Sequence, residues 1–231
     1  MACRTKAAAV GEVTTVPPDE PLLRRFSVRT IGPEPSGATP LEQEDLECLI
    51  PDFVATRADL NQVEFENITK ALPWARRQAG ILGPEGLLDY LFVLRLHRRM
   101  FGDVWTWAGK QRRRATNIGV EPQLITTQLQ LLLDDAKLWH SEQVFDPDTL
   151  AVRIHSRLAS IHPFTNGNGR CTRMMADLYL ASIGAEPFTW GGENLDVDGS
   201  GRATYIAALI RALDTEEYGE LIRFARGRGA S

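Results

Sequence analysis

The sequence predicts a mainly α fold, a helical bundle carrying one short β-hairpin, on three observations. Between about residue 39 and residue 225 most segments repeat apolar residues at helical spacing. Proline, glycine and capping residues cut that pattern into helix-sized lengths. Only the stretch Gln111–Glu121 combines strand-compatible residues with a turn signal. With 231 residues and a hydrophobic fraction of 43%, the chain can bury one sizeable core, so one domain with an appendage is expected.

Six of the thirteen prolines fall in the first forty residues, amid scattered charge and no sustained periodicity, and residues 1–38 read as a flexible tail. Thr39, Pro40 and Glu42 resemble a capping box with proline at the first helical position, opening a short helix that ends before Pro51. From about Asp59 a longer helix presents Leu60, Val63, Ile68 and Leu72 until Pro73 bends or ends it. A core helix follows over Leu87–Met100, with Gly86 near its start and Gly102 just past its end; His97 within it reads as structural. Trp105 and Trp107 anchor the irregular stretch beyond. The hairpin is expected at Gln111–Glu121, where Arg112 to Arg114 form either an acidic-target contact or an exposed edge. Gln123–His140 is a leucine-rich core helix, with His140 at its C-terminal end.

Asp146 and Pro147 cap the next helix, which runs through Leu150–Ile161 and holds His155 as a packing residue. Another helix, from about Gly169 to Ile183, stops at Gly184. Pro187–Asp198 is a loop, and Gly201–Leu213 with Glu216–Ala225 complete the helical set.

Between the two helices that flank it, the stretch His162 to Arg173 reads HPFTNGNGRCTR. A glycine-containing turn that feeds a helix N-terminus points unpaired backbone N–H groups at one spot, where the helix dipole favours negative charge. Arg170 and Arg173, three residues apart, put two guanidinium groups near that cradle. His162 is the side chain here whose ordinary pKa of about 6.5 suits proton abstraction near neutral pH. The combination points to phosphoryl or nucleotidyl transfer.

These residues resemble the signature of Fic-domain proteins, the Fic/DOC family. The likeness extends through LHRRMFGDVWTWAGKQR (Leu96–Arg112) and GRATYIAALIRAL (Gly201–Leu213), covering roughly residues 50–225. Within the family the chain is most similar to the group called mobile mystery protein B, on the stretches ATRADLN and TNIGV and the Asn-Gly-Asn-Gly form of the motif. The resemblance implies a Fic-type helical bundle over residues 81–226, with the hairpin as a flap over the active site. Residues 39–80 are then N-terminal helices packing on that core. It further implies a protein adenylyltransferase that moves AMP from ATP to a Ser, Thr or Tyr hydroxyl of a target protein.

His162 would take the hydroxyl proton; Gly167, Asn168, Gly169 and Arg170 would hold the phosphates, and Arg173 the distal one. Thr116, Asn117, Ile118 and Gly119 would line up the target segment. Asn166 stands where the family usually has an acidic residue that holds magnesium, which implies weakened Mg²⁺ binding. Gln62, Glu66 and Asn67 match the family's inhibitory helix except at the first position, which makes Glu66 the candidate inhibitory residue. The corresponding loop position puts Trp190 or Asn194 near the nucleotide base. Alternatives to AMP transfer are transfer of another phosphate-containing group, a nucleotide-binding regulatory module, and removal of AMP from modified proteins.

Lysine plus arginine (26) nearly balances aspartate plus glutamate (30), so no whole-chain basic field steers the protein to nucleic acid. Three unpatterned cysteines fit neither a disulfide framework nor a zinc site and suit a reducing cytoplasm. No apolar run approaches the roughly 20 residues of a membrane helix, and the run Ala7–Val10 is too short for a secretory signal core, so a soluble cytoplasmic protein is expected. Walker-type and dinucleotide-binding glycine patterns are absent from the sequence.

Overall fold

A computed structural model describes residues 31, 32, 35, 38–192, 195 and 198–227. The helices are α1 (Gln43–Leu46), α2 (Arg57–Leu87), α3 (Tyr90–Phe101), α4 (Ile125–Ser141), α5 (Pro147–Ile161), α6 (Asn168–Ser182), α7 (Ser200–Thr215) and α8 (Gly219–Ala225). The mainly α class is as the sequence predicts. Most of the predicted tail, and Asn194, lie outside the described residues. Among the described residues no helix is long and apolar enough to cross a membrane.

Local chemistry sets the helix starts. At α1 the cap is Glu42, whose backbone N–H donates to Asp45 at 2.9 Å. Thr39, the expected cap, lies further back and its hydroxyl is used elsewhere. Thr56 caps α2, exchanging bonds of 3.1 and 2.8 Å with Asp59. Pro73 sits inside α2 without ending it, and the real interruption is Gly83, with φ 61° and ψ −176°. Proline lacks one donor and crowds the preceding turn, whereas a glycine dihedral of this kind leaves the helical region altogether. Asp89 caps α3, accepting from the Phe92 N–H at 3.0 Å, and Asp146 caps α5 in the same way through Thr149 at 3.0 Å.

Helices α5 and α6 pack along each other at the centre; α2 lies across α3 and α6, α4 on α5, and the α7–α8 pair on the far side of α5. The core between them includes Phe92, Leu96, Met100, Phe101, Leu129, Leu133, Leu158, Met175 and Leu180, all essentially inaccessible. Each such side chain contributes roughly 1.5–3 kcal/mol through loss of apolar surface from water. Trp105 and Trp107 stack at 4.9 Å and hold their loop to this core, as expected. Cys171 is buried and Cys48 half-buried, and both are free thiols.

The predicted hairpin at Gln111–Glu121 is not formed: these residues make an irregular loop, and the described residues contain only an isolated antiparallel bridge, between Leu49 and Trp105. The two stems of the loop pair with the motif segment instead of with each other. Arg112 N–H donates to Pro163 O at 3.0 Å and Val120 N–H to Ile161 O at 3.3 Å. The Arg112 side chain, only 4% exposed, fills the space between the stems, donating to the carbonyls of His162 (2.7 Å), Arg114 (2.9 Å) and Val120. Arg112 is therefore a structural residue, while Arg114 pairs with Asp45.

Candidate active site

The motif loop is held by three side chains, those of Arg112, Asn168 and His97. Helix α5 ends at His162, which takes a left-handed conformation (φ 54°, ψ 61°) and turns the chain back on itself. Asn168, at the first position of α6, clasps Phe164 in both directions: its Oδ1 accepts from the Phe164 N–H at 2.9 Å and its Nδ2 donates to the Phe164 carbonyl at 2.7 Å. The Asn168 side chain is thus committed to closing the loop, which leaves only its backbone for the phosphate role expected from the sequence. His97 stacks on Phe164 with ring centroids 3.7 Å apart. Its Nδ1 accepts from Gly109 N–H at 3.0 Å, so its Nε2–H donates to the Asn166 carbonyl at 3.0 Å.

Gly167 opens α6 with φ 76°, and a Cβ there would lie 2.6 Å from the Phe101 ring. Only glycine fits a turn that is both left-handed and pressed onto an aromatic ring.

His162 is 8% exposed. Its Nδ1–H points at the Ala159 carbonyl (3.4 Å), which leaves the Nε2 lone pair to accept from the Thr39 hydroxyl at 2.8 Å. Loss of hydration pushes its pKa down to about 4, with a further push from the Arg112 charge, against the Ala159 bond. The imidazole is a neutral acceptor throughout the physiological range.

His97 and His155 are also buried neutral, pushed down to about 3 by loss of hydration. Asp177 goes the other way, up to about 7, because burial outweighs the bonds it accepts from Trp190 and Phe188. Between pH 6.5 and 4 the unfolded chain protonates three histidines that the folded chain keeps neutral, whereas the folded chain alone protonates Asp177. The unfolded state then binds a net of about two more protons, so acidification through this window is expected to lower stability by roughly 3 kcal/mol per pH unit. Urea unfolding at pH 7, 6 and 5 measures the slope; a flat profile would contradict the burial of these groups as neutral imidazoles.

In front of His162 lies a cavity of about 360 Å³, lined on one side by Asn166, Gly167, Gly169, Arg170 and Arg173, and on another by Leu60, Asn61 and Glu64 of α2. The N-terminus of α6 and two guanidinium groups make one wall electropositive. Glu64 opposes them: it is 3% exposed, accepts from Trp105 Nε1 at 2.7 Å, and pairs with Arg170 at 2.7 Å. The expected residue, Glu66, is exposed on another face of α2 and accepts from Gln62 at 2.8 Å. A signal for Glu64 was present, since Leu60, Glu64, Asn67, Ala71 and Ala75 follow helical spacing and are the buried face.

The donor set does not fit a protein-held magnesium ion. Asn166 Oδ1 accepts from the Gly167 N–H at 2.6 Å and its Nδ2 donates to the Thr39 carbonyl at 3.3 Å, so the amide is committed within the protein. Among the described residues no group of three or more histidine, cysteine or acidic side chains has metal-site geometry.

The loop above the cavity brings Ile118 to its lining, and Asn117 Nδ2 donates to the Ala38 carbonyl at 3.2 Å. Thr116 closes its own turn on the Ile118 carbonyl at 2.5 Å. Gly119 (φ 111°) lies so close to the motif that a Cβ would fall 2.7 Å from that of His162. Trp190, expected beside the nucleotide base, is instead a buried core residue bonded to Asp177 at 3.1 Å and is not part of the cavity lining. Thr39 and Glu64 are the residues that the sequence reading does not place in the site, whereas His97 is structural, as that reading predicts.

The profile of the Fic/DOC family matches residues 87–180. Protein adenylyltransferase fic-1 of Caenorhabditis briggsae is 32% identical over 125 residues, covering 51% of this chain and 22% of that protein. A solved structure of Fic-1 from C. elegans superposes with a TM-score of 0.56 at 26% identity, over 72% of this chain and 49% of that one. A Fic domain containing signaling protein from Bacteroides thetaiotaomicron superposes with a TM-score of 0.58 at 19% identity, over 80% and 74% of the two chains. The chain thus spans about a fifth of the length of the curated relatives it matches. The matched span begins at the end of α2 and contains the whole motif loop and almost all of α6, so the part of this chain that is similar to the Fic/DOC family is the part that builds the candidate site.

Proposed function

We propose that the chain is a protein adenylyltransferase that moves AMP from ATP to the hydroxyl of a Ser, Thr or Tyr side chain on a protein. The observation that carries this reading is a neutral imidazole with its Nε2 lone pair turned toward a hydroxyl at 2.8 Å, beside an electropositive helix N-terminus. His162 takes the hydroxyl proton, the oxygen attacks the α-phosphorus in line, and the bond to the β-phosphate breaks to release pyrophosphate. General-base help of this kind is typically worth about 10² to 10⁴-fold.

Backbone N–H groups of Gly167, Asn168 and Gly169, with Arg170 and Arg173, hold the phosphates. Any magnesium would have to be held by the nucleotide phosphates, because the Asn166 amide carries no charge and is bonded within the protein. The names of the adenylyltransferase relatives support the reaction class. The stretches ATRADLN, TNIGV and Asn-Gly-Asn-Gly support placement in the mobile mystery protein B group, and the cysteine pattern supports a cytoplasmic setting. We divide the chain into a tail (1–38), packing helices (39–80) and a catalytic domain (81–226).

Incubation with α-labelled and, separately, γ-labelled ATP in a cell lysate, with and without Mg²⁺, tests the reading. Label reaching protein only from the α position is expected. Label from the γ position would make the protein a phosphotransferase, and bound ATP without transfer would make it a nucleotide-binding module.

A further inference from the structure

The acceptor position in front of His162 is filled by this chain itself. Thr39 is 6% exposed, and its hydroxyl donates to His162 Nε2 at 2.8 Å. The backbone on either side of that hydroxyl is gripped from two directions. Asn117 of the overlying loop donates to the Ala38 carbonyl at 3.2 Å, and Asn166 of the motif donates to the Thr39 carbonyl at 3.3 Å. Downstream, the Asp45 carboxylate pairs with Arg114 of the same loop.

Helix capping does not account for this placement. Glu42 and Asp45 complete the cap of α1 between them, so the hydroxyl of Thr39 is left for the histidine. Ala38, Thr39 and Leu41 also line the cavity that contains Gly169, Arg170 and Arg173. One cavity therefore holds a hydroxyl, a base and an anion cradle together. A hydroxyl seated on a neutral general base beside a phosphate site has the arrangement of an acceptor.

We propose that Thr39 is a self-modification site, the intramolecular acceptor of the nucleotidyl group; this rests on the transferase reading above. Thr39 Oγ1 passes its proton to His162 Nε2 and forms a bond to the α-phosphorus of a nucleoside triphosphate. The bond from that phosphorus to the bridging oxygen breaks, and pyrophosphate leaves with the electron pair. His162 then releases the proton to solvent. No oxidant or reductant is involved. The main-chain grips on Ala38 and Thr39 contact carbonyls and not side chains, so a target segment of different sequence can be held in the same way once this one has moved out.

The test is incubation of the whole chain with ATP and Mg²⁺, followed by intact-mass and peptide mass spectrometry. One AMP per chain, on Thr39, is expected, retained in Thr39→Ser and lost in Thr39→Val and His162→Ala. To separate transfer within a chain from transfer between chains, the wild-type chain is mixed with a His162→Ala chain that carries a mass tag, and the tagged chain is expected to stay unmodified. AMP on the His162→Ala partner would overturn the intramolecular assignment. AMP on lysate proteins or on another residue of the chain, with Thr39 bare, would overturn the site while leaving the transferase reading intact. No AMP on any protein despite bound ATP would overturn both.

Discussion

Replacing His162 by glutamine is expected to lower nucleotidyl transfer by about 10² to 10⁴-fold while leaving ATP binding nearly unchanged. The electropositive wall proposed to hold the phosphates is built by the N-terminus of α6 and its arginines, and His162 lies at the end of α5. Glutamine keeps the polar reach toward Thr39 but cannot accept a proton. The pH dependence of the wild-type rate gives a second reading of the same group. With its pKa pushed down to about 4 by burial, the imidazole stays deprotonated as pH falls through 6.5, and the acid limb of the profile is expected near pH 4. The rate is lost as protonation removes the base, so the limb falls toward low pH. Single-turnover kinetics between pH 4 and 8, with nucleotide titration of His162→Gln, check both points. An unchanged rate in the variant would remove His162 as the base.

Helix boundaries governed by short-range chemistry were legible in the sequence: Asp146 with Pro147 starts α5, and the glycine-rich motif leads into α6 where expected. What escaped were features decided by partners far along the chain. Thr39 looks like a helix cap locally, yet its hydroxyl belongs to His162, 123 residues away. His97 is the structural histidine that the sequence predicts, and only its partners, Asn166 and Gly109, are out of local view. The hairpin failed for the same reason. Its strand-like composition fits extended backbone, but the donors of Arg112 and Val120 find carbonyls on the motif segment, and the buried Arg112 guanidinium keeps the stems apart. Pro73 does not end α2, since a helix packed on two neighbours tolerates the loss of one internal bond.

Glu64→Gln is expected to tighten ATP binding by roughly tenfold, about 1.4 kcal/mol, whereas Glu66→Gln should leave it unchanged. Glu64 lines the cavity with its carboxylate on Arg170 at 2.7 Å, so an incoming phosphate meets repulsion from the one and attraction from the other. At an effective dielectric near 20, a pair of unit charges about 4 Å apart interacts by roughly 4 kcal/mol, and only part of that survives solvation. Glutamine keeps the shape and removes the charge. It also turns an N–H₂ group toward donors, because both Trp105 Nε1 and Arg170 donate to the present carboxylate. Stability is therefore expected to fall by about 1–3 kcal/mol even as nucleotide affinity rises. Glu64→Ala would be more damaging, approaching the 3–5 kcal/mol typical of a broken buried pair, because Arg170 would keep its charge in a largely enclosed site. Calorimetric titration with ATP and urea unfolding, run on Glu64→Gln and Glu66→Gln together, separate the two effects. A larger affinity change in Glu66→Gln than in Glu64→Gln would mean that α2 presents a different face to the phosphate cavity, and that Arg170 is not restrained by Glu64.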